Sequence, residues 1–270
     1  MRLQIDINSD VGERPEALRD GSEERLIRHL SSANIACGVH AGDEETIRTT
    51  VRLCTKHGIA IGAHPSFPDR ENFGRREMNI APDEIEVCVL DQVSLLDGIA
   101  SSEGEVLRHV KPHGALYNSA TRHPEVATAI GKAVRRASPH LVLVGLAGSR
   151  MLDVWRSMGL TVAAEAFADR RYESDGSLRS RAHHDALITS TAEAAEQAVR
   201  IVTEGVVLSI DRRPIAIEAQ TLCVHSDTPG AVEHLSAIRE AFRQAGISVV
   251  KFRQPGPQGV PLTSRTAGLL

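Results

Sequence analysis

The stretch LQIDINSD (residues 3–10) decides the fold. In an extended chain Asp6, Asn8 and Asp10 share one face, while Ile5, Ile7 and Val11 share the other, so a buried strand carries polar groups toward its carboxyl end. Five more runs have the same design: ANIACGVH (33–40), IAIGAHPS (59–66), VLRHVKPHG (106–114), TVAAEAFADR (161–170) and TLCVHSD (221–227). Each is apolar and ends in Asp, Glu, Lys or His, and most precede a helix-like stretch. Parallel strands joined by helices carry their functional groups on loops at the strands' carboxyl ends, so this pattern predicts an α/β enzyme.

The segments between the runs support that order. Residues 23–30 carry Leu26, Ile27 and Leu30 at helical spacing, with Ser22 as the expected N-cap. A helix is predicted from Asp43 to about Lys56, ended by His57-Gly58, and another starts at Pro82 with Ile85, Val89, Val93 and Leu96 on one face. A further apolar run, LVLVGLA (141–147), a helical segment at 149–158, a helix over 192–204 and a last one over 230–245 complete the alternation, with short strands in VVLSI and PIAIEA. The polar stretch 172–185 reads as a loop or small hairpin over a site, a candidate lid. Polar clusters after nearly every strand favour a single-domain parallel (β/α) barrel over residues 1–252; a doubly wound open sheet, which gathers its site at one switch point, is the rival. The Gly- and Pro-rich residues 253–270 form a C-terminal tail.

At 270 residues with a formal net charge of -4 and no long basic run, the chain offers no electrostatic footprint for nucleic acid or an anionic membrane surface. No apolar stretch approaches the roughly 20 residues of a membrane span, and the start MRLQIDINSD lacks a signal peptide's apolar segment, so a cytoplasmic protein is expected. The four cysteines show no CxxC pair; Cys37, beside Gly38 and His40, reads as a buried apolar residue rather than a nucleophile.

Asp6, Asn8, Asp10 and Glu13 form the first candidate cluster, able to accept protons, hold a divalent cation or bind a substrate amine; the bland alternative is a cap at Asp10 and a buried ion pair at Asp6. His40, His64, His113 and His225 each follow an apolar strand. One such histidine is ordinarily structural, but four together suit general acid–base work or metal ligation, and Asp10, His40 and His64 are the candidate ligands of a divalent metal. No HxxxH or HExxH spacing accompanies them. Lys111 and His113 stand two apart, suited to binding a carboxylate and moving a proton, while Glu165, Asp169 and Arg170 offer carboxylates and a guanidinium fork, or an internal ion pair of Asp169 with Lys111 or Arg170. His29, His57, His109 and His123 are read as surface groups. Neither a GxxxxGK[ST] loop nor a GxGxxG after the first strand occurs, and Asp227-Thr228-Pro229 reads as an ordinary helix cap.

DINSDVGE, SSANIACGVHAGD, GAHPSFPD with FGR after it, KPHGALYN, AEAFADRRY with DGSLRSR, and VHSDTPGAV together resemble the successive blocks of the LamB/YcsF family. The blocks run in order from residue 3 to about residue 232. The resemblance implies a seven-stranded β/α barrel akin to glycoside hydrolases and polysaccharide deacetylases. It also implies a hydrolase, the A subunit of an ATP-dependent 5-oxoprolinase that opens pyroglutamate to glutamate with subunits B and C. The family's polar positions fall on Asp6, Asn8, Asp10, Glu13, Asn34, His40, Asp43, His64, Lys111, His113, Glu165, Asp169, Arg170 and His225. In the implied reaction one of Asp10, His40 or His64 activates water, Lys111 or Arg170 holds a carboxylate or phosphoryl group, and His113 or His225 protonates the leaving nitrogen. With no nucleotide motif present, the ATP site is expected to be shared with or supplied by a partner. Ser9 stands where the family commonly carries Cys, and Ala182-His183-His184-Asp185 departs from the family's polar Pro/Gly segment. A stand-alone metal-dependent amidase or carbohydrate deacetylase, or a non-catalytic regulatory subunit, are the alternatives.

Overall fold

A computed structural model describes residues 3–251; the tail expected at 253–270 lies outside them. The strands, in chain order, are β1 (Gln4–Val11), β2 (Ser32–Ala36), β3 (Ala60–His64), β4 (Leu107–Val110), β5 (Val142–Leu146), β6 (Val162–Phe167), β7 (Val206–Leu208), β8 (Pro214–Ala216), β9 (Thr221–Cys223) and β10 (Ser248–Val249). β1 through β6 pair successively in parallel, and β9 pairs with both β6 and β1, with Asp6 opposite Thr221 and Asn8 opposite Cys223. That last pairing closes a seven-stranded barrel and rules out the open sheet. β10 adds outside the ring to the start of β1, and β7 with β8 forms a separate antiparallel hairpin.

The helices lie around the ring because their apolar faces cover the strands' outward residues. In chain order they are α1 (Pro15–Arg19), α2 (Ser22–Ile27), α3 (Glu44–His57), α4 (Pro82–Ser102), α5 (Gly114–Arg122), α6 (Pro124–Ala137), α7 (Arg150–Ser157), α8 (Thr191–Glu204) and α9 (Ala231–Gln244). Ile5, Ile7 and Val11 of β1 join the apolar shell between strands and helices, together with Ile47 and Val51 of α3 and Val89 and Val93 of α4. α3 shows how local sequence sets the boundaries. The Asp43 side chain accepts the Thr46 N–H at 2.8 Å, and Gly58 ends the helix with φ 66.

Two capping expectations are corrected. Ser22 is the first helical residue, because its N–H is taken by the Asp20 carboxylate at 2.7 Å, and Gly21, with φ 73, is the N-cap. Likewise Gly230 caps α9, while Asp227 and Thr228 are drawn to side chains on other loops.

Inside the ring the filling is unequal. Val142, Val144 and Ala163 form a small separate apolar cluster, whereas β1, β2, β4 and β6 send in polar groups. His109, expected at the surface, is fully buried in β4 and lies 2.8 Å from Asn34 Oδ1. Gly62 of β3 makes room for it: a Cβ there would lie 2.2 Å from the His109 ring.

Candidate active site

The polar layers of the barrel rise toward the carboxyl ends of the strands. At the bottom Asp6 accepts hydrogen bonds from Ser31 and Ser32, each at 2.6 Å, and from Thr221 at 2.5 Å. Burial pushes its carboxyl up to about 6 despite those donors. Above it Asn34 donates to Asn8 Oδ1 at 2.7 Å and to Asp10 Oδ1 at 2.8 Å, and Asn8 donates to Glu165 Oε1 at 3.0 Å. Lys111 completes this layer, its Nζ 3.0 Å from Asp10 Oδ1 and 2.9 Å from Glu165 Oε1. Tyr117 donates to the other Glu165 oxygen at 2.8 Å. Burial disfavours the Lys111 charge, but the facing carboxylates outweigh it and hold the ammonium's pKa above its ordinary value. With both carboxylates on it, Lys111 is part of a buried ion-paired lattice rather than a free anchor for a substrate carboxylate.

The next layer is a knot of imidazoles and carboxylates. His64 Nε2 lies 2.9 Å from His113 Nδ1, 3.3 Å from Asp10 Oδ2 and 4.0 Å from Glu13 Oε1; His113 Nδ1 lies 3.4 Å from that same Glu13 oxygen. His40 stacks on His113 with ring centroids 4.0 Å apart and places Nε2 3.2 Å from Glu13 Oε1. Burial lowers the pKa of His40 to about 3 and, with the neighbouring imidazoles, holds His113 well below its ordinary range. Burial also raises the Glu13 carboxyl. His113 Nε2 lies 2.8 Å from the carbonyl of Phe73, a non-glycine residue with φ 57, so a left-handed turn in the β3–α4 loop presents that carbonyl to the ring.

Across the opening stands a second pair. His225 Nδ1 lies 3.0 Å from Asp169 Oδ2, and Asp169 also accepts the His225 backbone N–H at 2.9 Å and the Thr228 hydroxyl at 2.6 Å. Burial alone would raise the Asp169 carboxyl, but the His225 charge and these donors bring it to about 2. Phe167 stacks on the His225 ring, centroids 5.3 Å apart. Arg170 is buried, donates to the Arg179 carbonyl at 2.5 Å, and has an Nε with no hydrogen-bond partner among the described residues. Asp227 ties Arg75 at 2.6 Å to Arg181 at 2.8 Å, so three loops meet over the barrel mouth. Beneath that strap lies a cavity of about 660 Å³ bordered by Asp10, Glu13, His64, Lys111, His113, Arg170 and His225.

Most of the expected site residues therefore converge, in two tiers. Asp6, Asn8, Asn34, Glu165 and Asp169 stand behind the cavity wall as supports, and His40 backs Glu13. Asp43 does not reach the site; it is exposed and caps α3. The expected metal trio also changes: the donor atoms that converge within 4.8 Å belong to Asp10, Glu13, His64 and His113, not His40. The internal pair considered for Asp169 forms with His225 instead of Lys111 or Arg170. Sequence reading passed over Tyr117, Arg75 and Arg181 and took Asp227 for part of a helix cap, although all four lie in blocks already singled out: KPHGALYN, FGR, DGSLRSR and VHSDTPGAV. The polar stretch 172–185 does border the cavity, through Asp175, Ser177, Leu178, Ser180, Arg181 and Ala182. Cys37 is buried and its thiol is pushed up to about 12, in keeping with a packing role. Among the described residues no helix is long and apolar enough to cross a membrane.

Comparison with known proteins gives a consistent picture. The LamB/YcsF family profile matches residues 5–256. The chain is 52% identical over 247 residues to a 5-oxoprolinase A subunit of Chloroflexus aggregans, covering 92% of this chain and 98% of the relative. It is 46% identical over 249 residues to a 5-oxoprolinase A subunit of Bordetella pertussis, covering 92% and 99%. Among solved structures it is similar to a lactam utilization protein from Thermus thermophilus, with a TM-score of 0.87 at 44% identity over 93% of this chain and 100% of the other. A putative cellobiose-phosphate cleavage protein from Enterococcus faecalis shares the fold alone, with a TM-score of 0.56 at 14% identity over 93% and 98%.

Proposed function

This chain belongs to the LamB/YcsF family, and from that premise we propose that it is the A subunit of an ATP-dependent 5-oxoprolinase, the hydrolase that opens 5-oxo-L-proline to L-glutamate together with subunits B and C. The observation that carries this reading is the cavity itself, joined to the names of its relatives. Its lining combines the cationic guanidinium of Arg170 with proton-handling groups at His225 and Glu13. A small cyclic amide bearing a carboxylate needs both.

A five-membered lactam is only mildly strained and its amide carbon is a poor electrophile, so opening by water needs the carbonyl activated. ATP supplies that by phosphorylation of the amide oxygen, at a site we assign to a partner or to the contact with one, since this chain has no phosphate-loop motif. The chain's own residues do the rest. Arg170, whose guanidinium borders the cavity, holds the substrate carboxylate or the phosphoryl oxygens. His225, its Nδ1 proton directed at Asp169, takes a proton from the attacking water at Nε2 and returns it to the ring nitrogen as the C–N bond breaks; the γ-glutamyl phosphate so formed is hydrolysed by a second water to glutamate and inorganic phosphate. Asp169 positions that ring. The strap of Arg75, Asp227 and Arg181 limits water access over the bound ring. Such an ATP-consuming reaction belongs in the cytoplasm.

Glutamate release from 5-oxo-L-proline and ATP tests the reading, measured with this chain, with the partner subunits, and with all of them together. Turnover in the full mixture and little with this chain by itself is the expected result. No glutamate from any combination of folded subunits would overturn it.

A further inference from the structure

The knot of His64, His113, Asp10 and Glu13 poses a problem of electron pairs. His64 Nδ1 lies 2.7 Å from the Lys111 backbone carbonyl, and His113 Nε2 lies 2.8 Å from the Phe73 backbone carbonyl. A carbonyl oxygen only accepts, so each of these nitrogens carries the ring's proton. The remaining nitrogens, His64 Nε2 and His113 Nδ1, then face each other at 2.9 Å with a lone pair apiece. Asp10 is held in the same sense: Asn34 and Lys111 occupy Oδ1, leaving Oδ2 pointed at His64 Nε2 at 3.3 Å. Glu13 Oε1 closes the group at 3.4 Å from His113 Nδ1, with His40 behind it at 3.2 Å. Four electron-rich atoms, all buried, aim at one point.

We infer that this point is a binding site for a divalent transition-metal ion, held by Asp10 Oδ2, Glu13 Oε1, His64 Nε2 and His113 Nδ1. A proton joins two donors, whereas here four converge. The spacing also fits. Bonds of roughly 2.1 Å at tetrahedral angles put ligand atoms about 3.4 Å apart, and octahedral angles put them about 3.0 Å or about 4.2 Å apart. Four of the six separations are 2.9, 3.3, 3.4 and 4.0 Å, and all six lie within 4.8 Å. Two imidazoles with two carboxylates suit zinc, manganese, iron or cobalt better than calcium or magnesium, which prefer all-oxygen shells. Backbone carbonyls fixing the outer nitrogens, and Lys111 and Asn34 fixing Asp10, are the supports that orient metal ligands. Because the four atoms border the cavity, an ion there has room for a water or a substrate oxygen. Lowering the pKa of bound water or polarising a carbonyl is the chemistry such an ion supplies. The site stands on its own geometry and does not depend on which lactam or amide is bound.

The test reads binding rather than turnover. The full-length chain, stripped with chelator and dialysed, is titrated with Zn²⁺ by calorimetry and with Co²⁺ by visible absorption. The expected results are one ion per chain and Co²⁺ bands of a nitrogen–oxygen site. Affinity should fall more than about 100-fold in Glu13→Gln and in His113→Gln, beyond the roughly 10–100-fold typical of outer supports, and stay unchanged in Asp43→Asn. Should either variant misfold, ¹⁵N-histidine NMR of the unaltered chain decides the matter, since Zn²⁺ must move two ring nitrogens and leave the two proton-bearing ones bonded as before. Unchanged imidazole resonances at saturating Zn²⁺, or folded variants that bind as tightly as the parent, would overturn the site. Loss of oxoprolinase turnover would leave either result intact.

Discussion

His225 Nδ1 lies 3.0 Å from Asp169 Oδ2, and Asp169 takes a second hydrogen bond from the His225 backbone and a third from Thr228. A carboxylate so saturated is an acceptor only, which fixes the ring proton on Nδ1 and leaves Nε2 as the nitrogen that exchanges protons with substrate. The pair joins the end of β6 to the end of β9, the two strands whose pairing helps close the barrel.

Replacing Asp169 with Asn keeps the size and one acceptor but can hold the other histidine tautomer. We expect kcat of the assembled enzyme to fall by about 10²–10⁴-fold with KM little changed, the loss seen when an orienting carboxylate is removed from a histidine base. Steady-state glutamate release with far-UV circular dichroism as the folding control measures this. A rise in KM at constant kcat would mean that the dyad only shapes the pocket.

Lys111 is the counter-charge for both Asp10 and Glu165, at 3.0 and 2.9 Å. Lys111→Met leaves two carboxylates facing each other in a dry interior, and breaking a buried pair by removing one partner costs about 3–5 kcal/mol. Urea unfolding should show a free energy lowered by that amount, seen as a lower midpoint with the slope unchanged. The further change Glu165→Gln in the Lys111→Met background should recover part of the loss; no recovery would show that the two carboxylates are not what the lysine neutralises.

Glu23 lies on α2, buried, and accepts the Gly12 N–H at the turn that carries Glu13. Burial pushes its carboxyl up to about 7. The folded chain therefore holds this proton longer than the unfolded one, so stability from this group is highest at low pH and is lost as pH rises from about 4.5 through about 7. Glu23→Gln keeps an acceptor and never ionises. Its advantage over the parent should be near zero at pH 4 and grow to as much as about 3 kcal/mol at pH 8, read from denaturant unfolding at both pH values. An equal difference at the two would refute the buried charge.

Much of this was readable from strand periodicity and little from the loops. The alternation in LQIDINSD places Asp6, Asn8 and Asp10 inside the barrel, and it does so because side chains of a strand alternate regardless of what lies opposite. Periodicity cannot say how deep a residue sits, so Asp6 and Asp10 looked alike although one lies at the bottom and the other at the cavity. His109 was misplaced for a related reason. Its burial depends on Gly62, 47 residues away in sequence, leaving an empty place on the neighbouring strand. The Arg75–Asp227–Arg181 strap joins residues from three loops, and only the closed ring brings those loops together. Asp43 shows the opposite error: a polar residue in a conspicuous block whose carboxylate is spent on a local helix cap.

Gly74 gives the last prediction. Its φ of 66 falls in the left-handed region, and a Cβ there would come within 3.0 Å of the His113 ring, 3.1 Å of His40 Cβ and 3.1 Å of Ser66 Cβ. Its carbonyl also accepts the Ala115 N–H at 2.9 Å, tying the β3–α4 loop to the start of α5. Gly74→Ala brings two penalties together: backbone strain of about 1–3 kcal/mol and a push on the imidazole that faces His64. Gly74→Asn separates them, because Asn tolerates the left-handed conformation while still carrying a Cβ. We expect Asn to regain part of the thermal stability lost in Ala, yet both variants to lose activity about equally, because the displaced His113 is common to them. Thermal unfolding beside glutamate release in the assembled enzyme gives the comparison, and activity that returns along with stability in Gly74→Asn would show that the loop backbone, not contact with His113, is what this glycine serves.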